Sequence, residues 1–272
     1  MIKSVQIDTI QINYTDVGSG QPVVLLHGFP LDHAMWTPQI SALSETARVI
    51  APDLRGFGQS TLTHDDAKNG VEMHQYAADV ASLLDKIGVK EPVILCGFSM
   101  GGYVLWQFAL RYPQRVKAIV LCDTRAAADS AEARQGRLKT ADEVLKSGTK
   151  PLIESMLPKL LSKGTLSQRP EVVTQVTQIM RACEPSAVAA ALRGMAQRDD
   201  VTSQLSQITQ PALIIVGAED AISPPAEMRG MAELIPNVQF VEIPEAGHMT
   251  TLENPGAVSE AMLRFLEEIT GG

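Results

Sequence analysis

Short apolar runs and segments of helical periodicity alternate along most of the chain. Two segments near the start alternate apolar with polar residues like the strands of a hairpin, and six later runs are typical of short buried strands. The eight predicted strands are Val5–Asp8, Ile10–Tyr14, Val23–Leu26, Val49–Ala51, Val93–Cys96, Ala118–Leu121, Leu213–Val216 and Phe240–Ile243. A hairpin followed by strand–helix units predicts an α/β fold with a mostly parallel, eight-stranded sheet and helices on both faces.

Helical periodicity fills the gaps between the later strands. Apolar side chains from Met73 to Ile87 follow the i, i+3, i+4, i+7 spacing, and Gly88 follows as a favoured helix terminator. The alternation of strand and helix stops between about residues 124 and 207, where four helical stretches are predicted near 130–147, 151–162, 171–182 and 186–197. We therefore predict a core of residues 1–123 and 208–272, with residues 124–207 inserted as a helical cap.

The overall composition limits the class of protein to which the chain can belong and the kinds of partner it can bind. Of the 272 residues, 45% are hydrophobic and 20% charged, which is typical of a globular protein and excludes a disordered chain. There are 23 basic and 31 acidic residues, a net charge of −8, and no dense basic run, so we expect neither nucleic acid nor a membrane as partner. The longest apolar runs fall far below the roughly 18 residues that span a bilayer.

The N-terminal pattern and the cysteine content indicate the cellular compartment of the protein. Residues Met1 to Asp16 alternate apolar with polar side chains and lack the successive basic, apolar and small-residue blocks of a secretion signal. Cys96, Cys122 and Cys183 form no CxxC pair, and an odd number of cysteines argues against a disulfide framework. We therefore expect a cytoplasmic protein in which Cys96 and Cys122 are small buried residues on strands.

A glycine-rich turn after the fifth predicted strand carries the clearest chemical signal. The segment GFSMGG, residues 97–102, lies directly between that strand and a helical pattern. A serine on such a sharp turn needs glycine neighbours, because a Cβ atom there would collide with the adjacent strand and helix. Ser99 then projects its Oγ above the carboxyl edge of the sheet, where the N–H groups of the following helix favour a developing oxyanion. The pattern predicts that Ser99 is a nucleophile.

A serine nucleophile needs a base, and histidine titrates in the right range. Enzymes with this type of serine turn carry the nucleophile, the acid and the histidine in that order along the chain. His248 is the only histidine after Ser99, so it is the predicted base. Two carboxylates at the ends of strands are candidates to orient it. We favour Asp220, after the seventh strand, and keep Asp123, after the sixth, as the alternative acid or as a hydrogen-bonding residue at the root of the cap.

Acyl transfer also requires N–H donors for the oxyanion of the tetrahedral intermediate. The segment HGFP, residues 27–30, leaves the third strand as a tight turn that contains glycine. The backbone N–H of Phe29 is the natural donor there, paired with that of Met100, the residue after the nucleophile. We interpret His27 as a residue that stabilises the turn by hydrogen bonding, with a role as a second base as the alternative.

Five sequence strings in this order resemble those of the α/β-hydrolase superfamily, and the similarity extends from Val23 to about Glu267. The strings are HGFP (27–30), DLRGFGQS (53–60), GFSMGG (97–102), GAED (217–220) and GH (247–248). The chain most resembles small capped bacterial carboxylesterases, and next the 3-oxoadipate enol-lactonases. The resemblance implies the α/β-hydrolase fold with an inserted helical cap. Members with an aspartate nucleophile share the fold, but Ser99 excludes their mechanism here.

Together these patterns predict a serine hydrolase that cleaves carboxylic esters, with short acyl chains, through an acyl-enzyme on Ser99. We expect a small-molecule ester as the partner and no metal or organic cofactor, since the sequence has neither HExxH, nor a P-loop, nor a dinucleotide fingerprint. Three other reactions use the same groups: lactone opening, perhydrolysis and carbon–carbon bond hydrolysis. For these, a cap arginine could bind a substrate carboxylate. The candidates are Arg125, Arg134, Arg137 and Arg193. A non-catalytic ligand-binding module is the alternative outside this class, and the oligomeric state is left open.

Overall fold

The computed structural model describes residues 2–271, which form a single eight-stranded sheet covered by helices. All eight predicted strands are confirmed, most of them one to three residues longer at one or both ends. The strands are β1 Ile2–Ile7, β2 Ile10–Val17, β3 Pro22–Leu26, β4 Arg48–Pro52, β5 Val93–Phe98, β6 Val116–Cys122, β7 Ala212–Gly217 and β8 Val238–Ile243.

The strand order across the sheet is β1-β2-β4-β3-β5-β6-β7-β8. The first two strands form the predicted antiparallel hairpin, β2 also pairs antiparallel with β4, and every other pair is parallel. The register sets Phe98 beside Cys122 and Cys122 beside Ile215. Because parallel strands end at a common edge, the loops after β5, β6, β7 and β8 meet there.

Apolar side chains on both faces of the central strands hold the sheet between its helices. In β3 and β5 every residue is buried, and successive residues point to opposite faces, so Val24 and Leu95 belong to one core and Val23 and Ile94 to the other. This explains why the central strands read as continuous apolar runs. Cys96 and Cys122 are fully buried on neighbouring strands, as predicted.

Twelve α-helices occur in the described part of the chain. They are α1 Thr37–Leu43, α2 His64–Asn69, α3 Met73–Lys86, α4 Met100–Arg111, α5 Ala131–Ser147, α6 Lys150–Leu160, α7 Lys163–Gln168, α8 Pro170–Arg181, α9 Pro185–Ala196, α10 Pro225–Ala232, α11 Thr250–Glu253 and α12 Pro255–Thr270. Three short 3₁₀ helices, His33–Trp36, Pro113–Arg115 and Thr202–Gln207, complete the helical structure. The helix predicted between Met73 and Ile87 is confirmed as α3.

Five helices, α5 to α9, lie between β6 and β7, and we refer to them as the cap helices. Four of them follow the predicted stretches, but the second ends at Leu160 instead of residue 162, and a fifth, α7, was missed. Ser162 explains the break, because its hydroxyl oxygen accepts a hydrogen bond from the N–H of Thr165 at 3.1 Å and so begins a new helix. The division into core and cap at residues 124 and 207 stays a prediction.

The last cap helix, α9, packs on the segment that joins α2 to α3. The N–H of Val71 donates a hydrogen bond to the carbonyl of Ala190 at 3.1 Å, and a Cβ atom on Gly194 would lie 1.7 Å from the carbonyl oxygen of Val71. Only glycine permits this approach of helix and loop. None of the helices within residues 2–271 is both long and apolar enough to cross a bilayer.

Candidate active site

The predicted nucleophile lies on a sharp turn between β5 and α4. Ser99 has φ 51° and ψ −113°, a strained conformation for a residue with a Cβ atom, and α4 begins at the next residue. The N–H of Ser99 donates to the carbonyl of Cys122 at 3.0 Å, and its carbonyl accepts from the Thr124 hydroxyl at 2.7 Å. These two bonds tie the strained turn to the end of β6, so the half-buried hydroxyl has a fixed position.

Two glycines beside Ser99 allow the backbones around the turn to touch. A Cβ atom on Gly97 would lie 2.5 Å from the carbonyl oxygen of Gly101, and one on Gly101 would lie 2.2 Å from the carbonyl oxygen of Leu26. The steric reason predicted for the glycines is therefore confirmed. The contact with Leu26 also brings the start of α4 against the turn that follows β3.

His248 follows β8 on a loop that returns to the edge of the sheet where β5 ends. Its ring is almost fully buried and packs against Phe98, with ring centroids 5.1 Å apart. The Nδ1 atom lies 2.8 Å from a carboxylate oxygen of Asp220, and Nε2 lies 2.9 Å from Ser99 Oγ. Because a carboxylate can only accept, we assign the hydrogen to Nδ1, which leaves Nε2 to accept from the serine hydroxyl.

The loop after β7 presents Asp220 to the imidazole in its ionised form. One oxygen of Asp220 accepts hydrogen bonds from the N–H groups of Ile222 at 2.7 Å and Ser223 at 3.0 Å, which turns the other oxygen toward His248. Burial opposes the charge on Asp220, but the interaction with His248 and the two N–H donors outweigh it and lower its pKa. The arrangement holds one negative charge against the ring.

Asp123, the alternative acid, lies beside this pair but bonds elsewhere. One oxygen of Asp123, one of Asp220 and a ring nitrogen of His248 all lie within 4.8 Å of one another. One oxygen of Asp123 accepts from the N–H of Gly217 at 2.9 Å, and the other is hydrogen-bonded to the hydroxyl of Thr250. Complete burial and the neighbouring charge of Asp220 raise the pKa of Asp123 well above its ordinary value. Asp123 is thus hydrogen-bonded at the root of the cap, as one of its two expected roles requires, and its side chain ties the end of β7 to the start of α11.

The turn after β3 brings Phe29 to the same edge of the sheet. The backbone N–H groups of Phe29 and Met100 have no hydrogen-bond acceptor among residues 2–271. His27 fixes the turn: Nε2 accepts from the N–H of Leu54 at 2.9 Å, so Nδ1 carries the hydrogen and donates to the carbonyl of Gly28 at 2.8 Å. Burial lowers the pKa of His27 and keeps the ring neutral. His27 is therefore bonded to backbone on both sides, which fits the bracing role and not that of a second base.

Within residues 2–271, two groups of side chains are close enough together to be considered as metal ligands. One is the group of Asp123, Asp220 and His248, and the other consists of Asp32, His33 and Asp53. In the second group, His33 Nδ1 lies 2.6 Å from Asp53. Each histidine therefore already has a carboxylate partner for one of its ring nitrogens, and hydrogen bonding accounts for both arrangements.

Sequence reasoning missed three residues that hold the site together. Thr124 binds the carbonyl of Ser99, Thr250 binds the carboxyl group of Asp123, and Glu253 accepts hydrogen bonds from the N–H groups of Gly247 and Ser162. Thr124 directly follows Asp123, and Thr250 and Glu253 lie two and five residues after His248. This proximity was the only signal, and threonine and glutamate are too common for it to be specific.

Comparison with known proteins places this geometry in a family. A family model described as the alpha/beta hydrolase fold matches residues 21–255. A thermophilic esterase from Thermogutta terrifontis has a similar structure, with a TM-score of 0.95, 40% identity and 99% of both chains covered. The enol-lactonase from Burkholderia xenovorans gives a TM-score of 0.88 and 26% identity, over 97% of this chain and 99% of that one. The 3-oxoadipate enol-lactonase 2 of Acinetobacter baylyi is 27% identical over 93% of this chain and 92% of its own.

The chain belongs to the α/β-hydrolase family, with its eight-stranded, mostly parallel sheet and inserted helical cap. The similarity to esterases and enol-lactonases supports a hydrolase as the general activity.

Proposed function

We propose that this α/β hydrolase cleaves carboxylic esters with short acyl chains through an acyl-enzyme on Ser99. The observation that carries the proposal is the continuous hydrogen-bonded path from the Asp220 carboxylate through the His248 imidazole to the Ser99 hydroxyl. The Nδ1–H bond to Asp220 holds the ring in the tautomer that leaves Nε2 free to take a proton from Oγ.

In the first half of the reaction, Ser99 Oγ forms a bond to the ester carbonyl carbon while its proton moves to His248 Nε2. The carbonyl π electrons move onto its oxygen, which becomes the oxyanion of a tetrahedral intermediate. The intermediate collapses as the carbonyl re-forms and the bond to the alcohol oxygen breaks. The imidazolium then returns its proton to that oxygen, and the acyl group stays on Ser99.

In the second half, water takes the place of the alcohol. His248 removes a proton from the water as its oxygen attacks the acyl carbon, and the bond to Ser99 Oγ breaks when the second intermediate collapses. The proton returns from Nε2 to Oγ, which releases a carboxylic acid and restores the hydroxyl. The charge on Asp220 stabilises the imidazolium in both halves.

We assign the binding of the oxyanion to the backbone N–H groups of Phe29 and Met100. Neither N–H group donates a hydrogen bond to another group of residues 2–271. Met100 begins α4, so the positive end of the helix dipole adds to its N–H. Loss of one such donor typically costs about 3 to 4 kcal/mol of transition-state stabilisation.

The cap arginines favour an uncharged acyl group. Each of the four considered as a receptor for a substrate carboxylate is already hydrogen-bonded within the protein. Their partners are Ile222 and Glu227 for Arg125, Ala196 for Arg134, Asp129 for Arg137, and Ala67, Lys68 and Asp142 for Arg193. Arg125, Arg137 and Arg193 already pair with acidic side chains that a substrate carboxylate would have to displace, which supports simple esters over charged lactones. Arg134 bonds a backbone carbonyl through its Nε–H alone, and this contact leaves its other N–H groups free.

Lactone opening is the second candidate, because several relatives are named enol-lactonases. Proteins named enol-lactonases are 26 to 27% identical to this chain over nearly its whole length, against 40% for the thermophilic esterase. A lactone is a cyclic ester, so the same groups perform the same steps on it. Perhydrolysis and carbon–carbon bond hydrolysis use the same groups, but no contact among residues 2–271 favours either reaction.

The decisive experiment is a substrate panel with p-nitrophenyl acetate and butyrate on one side and enol-lactones on the other. We expect the higher kcat/KM for the esters, and a preference for a lactone by orders of magnitude would overturn the choice. The Ser99→Ala variant should lower ester turnover by a factor on the order of 10⁴ to 10⁶. If the protein neither hydrolyses these esters nor reacts with a fluorophosphonate at Ser99, the non-catalytic binding module is the better description.

A further inference from the structure

A buried glutamate joins the loop that carries His248 to the cap. Glu253 is 3% exposed and ends α11, the helical turn that follows this loop. One of its carboxyl oxygens accepts from the N–H of Gly247 at 2.8 Å, and the other accepts from the N–H of Ser162 at 2.7 Å. The second bond crosses to the junction between α6 and α7, so a single side chain binds both segments.

The cap also touches the His248 loop directly through its backbone. A Cβ atom on Gly247 would lie 2.6 Å from the nitrogen of Ser162 and 2.8 Å from the carbonyl carbon of Leu161. The N–H of Met249 donates to the carbonyl of Leu160 at 3.0 Å. The N–H groups on both sides of His248 are therefore fixed, one by Glu253 and the other by the cap.

The opposite side of the same loop rests on the loop that carries Asp220. A Cβ atom on Gly217 would lie 2.0 Å from the carbonyl oxygen of Gly247, and the N–H of Glu219 donates to the carbonyl of Ala246 at 2.9 Å. The His248 loop is thus held between the loop that carries Asp220 and the cap.

From these contacts we infer that Glu253 is a positioning residue for His248: through it, docking of the cap also sets the distance between the imidazole and Ser99. The inference rests on the proposed esterase function. It implies that residues 160–162 stay docked during turnover, because their departure would release the base. Arg169, the residue before α8, supports the arrangement, because its guanidinium donates to the backbone carbonyl of Glu253.

The test variant is Glu253→Gln, which keeps the shape of the side chain but turns one acceptor into an NH₂ group. That group would face the N–H of Gly247 or of Ser162, donor against donor, and would push the loop and the cap apart. Displacing a reacting group by about 1 Å can cost up to roughly 100-fold in rate, so we expect labelling of Ser99 by an alkyl fluorophosphonate to slow by about 10- to 100-fold. For p-nitrophenyl acetate kcat should fall by a similar factor, with little change in KM.

Arg193→Gln is the matched control. It also removes a tie between the cap and the core, since Arg193 binds the carbonyls of Ala67 and Lys68, but its partners lie on α2 and α5 and not on the His248 loop. We expect its labelling rate, corrected for the folded fraction measured by circular dichroism, to stay within about twofold of the wild type. Equal rates for Glu253→Gln and wild type, or an equal loss in both variants, would overturn the inference.

Two further measurements keep the inference testable on its own. If Glu253→Gln does not fold, Arg169→Gln should slow labelling in the same direction, and an unchanged rate would count against the inference. A proton NMR spectrum should show the downfield signal of the His248 Nδ1–H bonded to Asp220, broadened or lost in Glu253→Gln. If the wild type does not react at Ser99, the proposed function fails, while this signal still decides whether Glu253 positions the ring.

Discussion

Replacing Gly101 with alanine tests the close approach of α4 to the turn that carries Phe29. The new Cβ atom would lie 2.2 Å from the carbonyl oxygen of Leu26 and 2.8 Å from that of His27. Both oxygens belong to buried backbone, so no change of side-chain rotamer relieves the overlap. Since Cβ atoms essentially never approach within 3.0 Å of another heavy atom, α4 and the turn must separate by about 0.8 Å.

That separation pulls apart the two proposed oxyanion donors, because Met100 moves with α4 and Phe29 stays with the turn. A displacement of about 1 Å can cost roughly 100-fold in rate, and loss of one oxyanion donor typically costs about 10²- to 10³-fold in kcat. We therefore expect kcat to fall by about 100-fold while KM changes little. Overpacking of this kind should also lower the free energy of unfolding by about 1 to 3 kcal/mol.

The assay combines kcat and KM for p-nitrophenyl acetate with urea unfolding, and Gly136→Ala serves as the control. Gly136 lies on the exposed face of α5, where an added Cβ atom meets no atom within 4 Å. This variant should keep its kcat and gain up to about 1 kcal/mol of stability from the better helix propensity of alanine. If Gly101→Ala loses stability but keeps the wild-type kcat, the spacing of the two backbones does not set the oxyanion site.

Two further predictions concern titratable groups next to the site. Asp123→Asn keeps the acceptor and gains an NH₂ donor for Thr250, so we expect kcat within about threefold of the wild type. The raised pKa of Asp123, caused by burial and the charge of Asp220, means that its contribution to stability is complete below the ordinary value of 3.8 and declines as pH rises. The free energy of unfolding of Asp123→Asn, measured with urea, should therefore rise relative to that of the wild type from pH 4 to pH 7. A constant difference between the two would refute a protonated Asp123. The hydrogen bond that His33 donates to the Asp53 carboxylate raises the pKa of His33, so its contribution to stability is present below the ordinary value of 6.5 and declines as pH rises through the raised value. His33→Asn keeps a donor for Asp53 without the charge. Thermal melts should show that the variant is less stable than the wild type at pH 6 and that this difference disappears at high pH.

The strands and the nucleophile turn were predictable because their signals are local. Buried parallel strands need apolar residues on both faces, and a serine on a strained turn needs glycine neighbours, so each leaves a continuous pattern in the sequence. The cap was predictable only in outline. Helix α7 spans six residues and lacks the apolar repeat of a longer helix, so it merged with its neighbours in the prediction.

Contacts between distant segments could not be predicted. Glu253 and Ser162 are 91 residues apart in the chain, and nothing in either segment indicates that one binds the other. The engagement of the four cap arginines is of the same kind, because a basic residue in a cap looks the same in sequence whether it binds substrate or a neighbouring carbonyl. The catalytic roles assigned to Ser99, Asp220 and His248 stay predictions, although the structure brings the three side chains together.

The choice between Asp220 and Asp123 depends on how many hydrogen-bond donors each carboxyl group receives. Both follow strands that end at the same edge, and two carboxylates this close and this deeply buried cannot both stay ionised. Asp220 receives three donors, two N–H groups of its own loop and the imidazole, whereas Asp123 has one N–H and a hydroxyl that can either donate or accept. The negative charge therefore resides on Asp220, where it can stabilise an imidazolium. Because the deciding donors come from the shape of the loop after β7, the position of the two residues along the chain left the choice open.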